Sequence, residues 1–531
     1  MTSETYNALN RAWKSTTKVV LGEELGELSL YAQWLQEYVD PPRLEQSLFN
    51  KRNVHLGIKE YSKECRFASL EEVNFSKEFE PVGINDLKDI DSVIEALRER
   101  FYYTGSVVLG NSKFVEESSN VVDSHFIHSS IIVSDSKYSA YSDTLKLVEY
   151  CFGVYGDAES SHIIKCTEGY RNKRNFECHA TYLSSDCYYS ANLNGCSNAM
   201  FSFGAQGKNH IIGNTELSKD KYLSLKSKLL AEIVEILRKE KKIFSLYEVI
   251  GGARGTPTGI PIDSGELTQS KSAIEKAFSD TSALVLGRKL SGIDNYTKLL
   301  SKHAPNAEVI RVKSPITGNI SLMAGYFSRF ARLYPIKGRV VSEQEIRKVS
   351  ERGIGEDELE KLRADPAELS SLLGKIAFVS FESTAGVNSN MINCAIITNS
   401  SDCYSGTAYV HAKKCGYSFW PRHSEHTFGS CAAWNSAFAI NSYYSKGLSR
   451  AFEVDSCDNS SDIYFSHNCE NVHSSMFCFN KKNLKNSIGN FELGSERYTK
   501  LKSALLEQIG GEIEKNKDLR WSIYNISGKK A

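Results

Sequence analysis

The chain has 531 residues, with 41% hydrophobic and 24% charged positions, an ordinary globular balance with room for two to four domains and a large core. Lys+Arg and Asp+Glu both number 64, so the formal net charge is zero. That excludes the basic footprint of a nucleic-acid wrapper and an acidic nucleic-acid mimic, and it lowers the repulsion that opposes self-association.

The start, Met1 to Tyr6, has no basic stretch followed by an apolar run, so no secretion signal is expected. No run approaches the ~18 apolar residues of a membrane span. The 13 cysteines are therefore expected as reduced thiols, in the cytoplasm or in a virion.

Residues 1–101 read as a helical region, within which 5–40 carry Trp13, Leu21, Leu25, Leu28, Tyr31, Trp34, Leu35 and Tyr38 as helical apolar content. Residues 102–217 have another rhythm. Ser118, Ser124, Ser130 and Ser136 recur every six residues, as do Val115, Val121, Ile127 and Val133. Neither a helical nor a simple strand period explains this. A short strand plus a corner, used twice per coil, gives a coil of about twelve residues, as in β-helix repeats. Inward apolar residues would stack along the axis while Ser, Asn and Asp hold the corners. Roughly nine coils at about 4.8 Å would build a rod of about 45 Å.

Residues 218–250 read as a capping helix, started by Ser218 and apolar at Tyr222, Leu225, Leu229, Leu230, Ile233 and Leu237. Residues 251–264 read as a linker, rich in glycine. The pattern then returns: a helical region at 265–375 with short helices over 342–374, a second solenoid at 376–493, and a capping helix at 494–531. Ser185-Asp186-Cys187-Tyr188 returns as Ser461-Asp462-Ile463-Tyr464, and Ile212-Gly213-Asn214 as Ile488-Gly489-Asn490. About twenty identities span roughly fifty ungapped positions. Val122-Asp123-Ser124 pairs with Val387-Asn388-Ser389, an offset of 265, whereas Asp186 pairs with Asp462, an offset of 276. Cys151 to Asp186 spans 35 positions and Cys415 to Asp462 spans 47, so one extra coil of 12 is expected in the second copy. The predicted fold is mainly β with helical caps: two right-handed parallel β-solenoid units related by internal duplication.

The stretches Val107-Val108-Leu109-Gly110-Asn111-Ser112-Lys113-Phe114, Ser134-Asp135-Ser136-Lys137-Tyr138 and Gly213-Asn214-Thr215-Glu216-Leu217 resemble an uncharacterised family of parallel β-helix proteins found in archaea, small-genome bacteria and large tailed viruses. The resemblance implies the fold and a structural setting. It brings no catalytic residues, and it weakens in the second copy.

Candidate chemistry is sparse. No CxxC pair exists, so the cysteines are expected as a buried thiol ladder. Two HxxH patterns occur, His125/His128 and His423/His426, and the second has Glu425 beside it, making His423, Glu425 and His426 the metal candidates. Asp123, Asp135, Asp157, Glu159 and Asp186 could line a carbohydrate groove, with Tyr188, Tyr189, Tyr443 and Tyr444 as stacking surfaces. Their Ser-Asp contexts favour turn chemistry instead. The glycines at 251, 252 and 255 lack a phosphate-loop ending. The expectation is a non-enzymatic structural or assembly protein, a shell or virion component that contacts itself or other proteins, with no cofactor, nucleic acid or membrane. A polysaccharide-binding or polysaccharide-degrading protein and a Cys/His metal binder are the alternatives.

Overall fold

The structure, a computed structural model, describes residues 3–80, 89–260, 269–327, 330 and 333–528. The last four linker positions, 261–264, lie outside the described residues.

Two stretches form parallel β-solenoids. In the first, each strand pairs with the strand one coil on, and the step is twelve residues: Lys137 pairs with Glu149, and Glu149 with Ser161. The second keeps the same step, with Ala437 opposite Ser449 and Ser449 opposite Ser461. The mainly-β solenoid architecture with helical flanks is therefore present.

The unit beneath the coil is three residues, finer than the six-residue period of the sequence. Phe114, Glu117, Asn120, Asp123, Phe126 and Ser129 all have positive φ, and the series continues every third residue along both solenoids. Each coil thus has four corners and four short sides. The residue after each corner points inward: Ser118, Val121, Ser124, Ile127, Ser130 and Val133 are all buried. Serine and valine alternate on successive sides, which doubles the apparent period. A left-handed residue other than glycine costs about 1 kcal/mol or more, which favours Asn and Asp at such corners. Asn459, Asn471 and Asn483 occupy one corner column of the second solenoid, and Asn471 donates to Asn483 at 2.6 Å.

Inward serines satisfy the corner backbone. The Ser118 hydroxyl donates to the Glu116 carbonyl (2.7 Å) and accepts the Ser130 N–H from the next coil (3.0 Å). Cysteine takes the same place. Cys166 Sγ donates to the Ile164 carbonyl (3.5 Å) and accepts the Cys178 N–H (3.4 Å). All 13 cysteines are buried and free.

The expected extra coil is absent. One strand column runs from Lys113 to Asn209 in the first solenoid and from Ser389 to Lys485 in the second, nine rungs each. The first coils match in detail at an offset of 276: Asn111 N–H donates to Asp123 (2.8 Å) as Val387 N–H donates to Asn399 (3.0 Å). The larger spacing in the second half arises before its solenoid, between Ser272–Leu286 and Ser389. The offset of 265 at residue 122 falls 276 − 265 = 11 short of the structural one, a residue less than a full coil, so the match of Val122-Asp123-Ser124 to Val387-Asn388-Ser389 is not a structural correspondence.

A helix lies along each solenoid. Glu4–Leu21 packs over the first, with Trp13 against Phe152 at 5.4 Å. Ser272–Leu286 packs over the second, with Phe278 against Phe428 at 5.3 Å. Each C-terminal end is closed by an antiparallel strand, Thr215–Glu216 or Phe491–Glu492, followed by a 22-residue helix, Lys219–Glu240 or Ser495–Asn516.

Between helix and solenoid each half sends out an arm, and the arms cross. The first, residues 43–105, contains a hairpin of Arg43–Gln46 and Asn53–Leu56, so the region read as helical is partly β. Val54, Leu56, Tyr61, Phe67, Val93, Leu97 and Tyr103 belong to one core with Phe452, Tyr464, Phe479 and Ile523 of the second half. The second arm, residues 305–381, also carries a hairpin, Val309–Lys313 with Ile320–Ala324. Its Phe327, Ile336, Val349, Leu369 and Phe381 share a core with Phe152, Tyr188, Leu229 and Tyr247 of the first half. Each solenoid is completed by the other half's arm.

Candidate functional site: the joints of the crossed arms

The chemistry-bearing side chains cluster where the arms dock. On the second solenoid, Asp455 and His467 occupy equivalent places on successive coils, and His467 Nδ1 donates to Asp455 Oδ2 at 2.7 Å. The proton assignment follows from the other nitrogen, because His467 Nε2 accepts the backbone N–H of Thr104 at 2.9 Å. Tyr61 donates to the same carboxylate oxygen at 2.8 Å, and Tyr524 donates to Asp455 Oδ1 at 3.3 Å. Asn480 donates to the Tyr102 carbonyl and accepts from the Thr104 hydroxyl. An acid–histidine pair of this kind could serve as a general base. Here both groups are fully buried and the free imidazole nitrogen is occupied by the arm's backbone, so the pair works as a clasp.

On the first solenoid the equivalent surface holds Glu168, Glu177 and His179. Tyr326 of the second arm donates to Glu168 Oε2 at 3.2 Å. Burial pushes the Glu168 carboxyl up to about 7. His179 Nδ1 lies 2.9 Å from the Thr167 hydroxyl and 3.0 Å from that of Tyr247, and its ring packs against Phe327 and Phe381 of the arm. Burial holds this imidazole down at about 3, hence neutral. Glu177 accepts the Leu246 N–H at 3.1 Å and the Tyr38 hydroxyl. Its carboxyl rises to about 7 through burial, against the opposing pull of the Lys165 ammonium 3.6 Å away. Lys165 is itself fully buried, donating to the Trp34 carbonyl (3.0 Å) and Glu37 (2.5 Å). In the second half Asn441 replaces it, donating to the Leu299 carbonyl (3.2 Å) and to Glu453 (2.8 Å). Glu453 accepts the Ile523 N–H at 2.7 Å, and burial raises it to about 7.

The residues singled out by sequence are dispersed. His423 is exposed and stacks on His411 one coil earlier, at 4.6 Å and 5°. Glu425 is exposed. His426 turns to the flanking helix, with Nδ1 3.3 Å from the Thr281 hydroxyl, and packs against Phe438. The three do not converge, because 423 and 426 are successive corners of one coil. His125 and His128 instead lie on either side of the corner at Phe126, with His128 beside Tyr141. Among the described residues no group of three or more His, Cys, Asp or Glu side chains is placed to hold a metal ion.

The acids divide likewise. Asp123 binds the Asn111 N–H, Glu159 pairs with Arg171 (2.6 Å), and Asp186 takes Arg174 through two contacts of 2.7 and 2.8 Å. Asp135 is exposed, whereas Asp157 is buried inside the coil and raised to about 7 by that burial. Its carboxylate fills the space that a side chain at Gly169 would need. Tyr188, Tyr189 and Tyr443 are fully buried. A surface ladder, Phe114-Phe126-Tyr138-Tyr150-His162, stacks at 4.6–5.1 Å, so the rings cover one another's faces.

Sequence reasoning missed Tyr61, Thr104, Asp455, His467, Glu177 and Glu453. The last two were accessible: a glutamate stands at both 177 and 453, separated by the downstream offset of 276, within apolar surroundings. Among the described residues no helix is long and apolar enough to cross a membrane. No family model, curated protein or solved structure matches the chain.

Proposed function

We propose that the chain is a duplicated pair of right-handed solenoids, locked by crossed arms, that serves as a non-enzymatic structural or assembly protein. The crossed arms carry this reading. They weld two rods into one body and bury the reactive groups in the weld.

Duplication is supported by hydrogen bonds that repeat at both offsets. Tyr188 donates to the Val20 carbonyl and Tyr464 to that of Val285. Leu25 N–H donates to Thr17 and Leu290 N–H to Ser282. Lys165 reaches the Trp34 carbonyl, and Asn441 reaches that of Leu299. The two halves thus stand as an isologous dimer built into one chain. Right-handed winding is the hand of nearly all parallel crossover connections.

The resemblance to β-helix proteins of archaea, small-genome bacteria and tailed viruses suggests a shell or virion setting, or the cytoplasm. The polysaccharide alternative has less support: Asp123, Asp135 and Glu159 share one corner column, but Asp123 is taken by the Asn111 N–H and Glu159 by Arg171, Asp157 is buried inside the coil, and the ladder rings are mutually covered. Light scattering on the purified full chain tests the reading. It expects particles heavier than one 59.4 kDa chain. A strict monomer would overturn it.

A further inference from the structure

The four solenoid ends are not alike. Both C-terminal ends are closed by an antiparallel strand and a helix. At the start of the second solenoid, Gln269 donates to the Met391 carbonyl (2.8 Å), and Ser270 exchanges two hydrogen bonds with Asn390 (both 2.9 Å), so residues 269–270 lie against Ser389–Cys394. The start of the first solenoid is different. Among the described residues, Lys113–Glu116 pairs on one side only, with His125–His128, and Val108–Leu109 only with Ser119–Val122. Leu109 and Phe114 on this coil are 46% and 38% exposed.

An open strand edge with apolar side chains invites another strand. The sequence of this edge, Lys113-Phe114-Val115-Glu116, says which. A lysine alone would repel a copy of itself. A lysine and a glutamate at opposite ends of a four-residue strand complement a second copy running antiparallel. We propose that this edge joins two copies of the chain head to head about a two-fold axis. Lys113 then faces Glu116 of the second copy, twice per interface. The Lys113 ammonium has no ion-pair partner among the described residues, and the Glu116 carboxylate accepts the Ser3 hydroxyl at 3.0 Å. Phe114 heads the ring ladder, with Phe126 on one face. A chain with zero net charge adds no long-range repulsion to this contact.

The inference deepens the assembly reading and rests on it. The test is sedimentation equilibrium of the full chain and of three variants: K113E, E116K and K113E/E116K. All three change exposed or half-exposed side chains, and circular dichroism checks that the fold persists. The wild type should be a dimer. Each single reversal sets like charges opposite one another twice and should weaken the dimer about tenfold, while the double reversal should restore it to within about threefold. A multimer whose affinity ignores all three variants would overturn this edge and leave the assembly reading standing. A wild type that stays monomeric at high concentration would overturn both.

Discussion

The Asp455 carboxylate and the His467 imidazole, one coil apart on the second solenoid, meet at 2.7 Å and together hold the backbone of Thr104 from the other half. The pair is a fastener. His467→Ala should leave Asp455 buried without its strongest partner, costing about 3–5 kcal/mol. Urea unfolding followed by circular dichroism measures this. Thr104→Ala should cost about 1 kcal/mol, since the N–H that binds His467 is retained.

Stability should fall between pH 5 and pH 8. Asp143, Asp157, Glu168, Glu177 and Glu453 are each raised to about 7, well above the ordinary carboxylate value of about 4. A carboxyl raised in the folded state contributes stability below its unfolded value, and that contribution is lost as pH rises through about 7. His179, held at about 3, and His303, at about 4, act in the opposite sense below their ordinary value of about 6.5. Among the large shifts, five carboxyls against two histidines leave a net decline; Glu60 and Glu382 are raised and His55, His128, His162, His423 and His426 lowered by less. The melting temperature should drop by several degrees across this window, and Glu168→Gln should make the drop shallower.

The serine ladder should tolerate sulfur and reject a methyl group. Ser130 donates to the His128 carbonyl and accepts the Ser142 N–H. Ser130→Ala orphans that buried N–H and should cost about 1–3 kcal/mol. Ser130→Cys should cost less than half as much, because Cys166 and Cys457 already accept such N–H groups. Denaturant midpoints of the two variants give the comparison.

All 13 thiols should be silent toward a bulky thiol reagent in the folded protein and react together on unfolding, since every cysteine is buried. Absorbance titration in buffer and in guanidinium counts them. Several fast-reacting thiols in buffer would mean that the coils open.

Much of the fold was legible in the residues. A coil of twelve, nine rungs and helices along and beyond each rod follow from local periodicity, which a solenoid writes into its sequence directly. The three-residue unit was hidden because Ser118 and Val121 alternate on neighbouring sides. The coil count was misjudged because Asp123 resembles Asn388 as well as its structural counterpart, Asn399. The crossed arms were out of reach. Nothing near Tyr61 or Thr104 encodes a partner some 350 to 400 positions away, and the histidine that matters, His467, has no motif around it. His423 and His426 drew attention through spacing alone, and as successive corners of one coil they point away from each other's site.

The central claim is that each solenoid is finished by the other half's arm, and cutting the connection between the halves tests it most directly. A protease site inserted after Ile260 in the full chain, followed by cleavage and size-exclusion chromatography without denaturant, should yield one particle containing both fragments that melts cooperatively. Two folded fragments that elute separately would contradict the exchange and the account built on it.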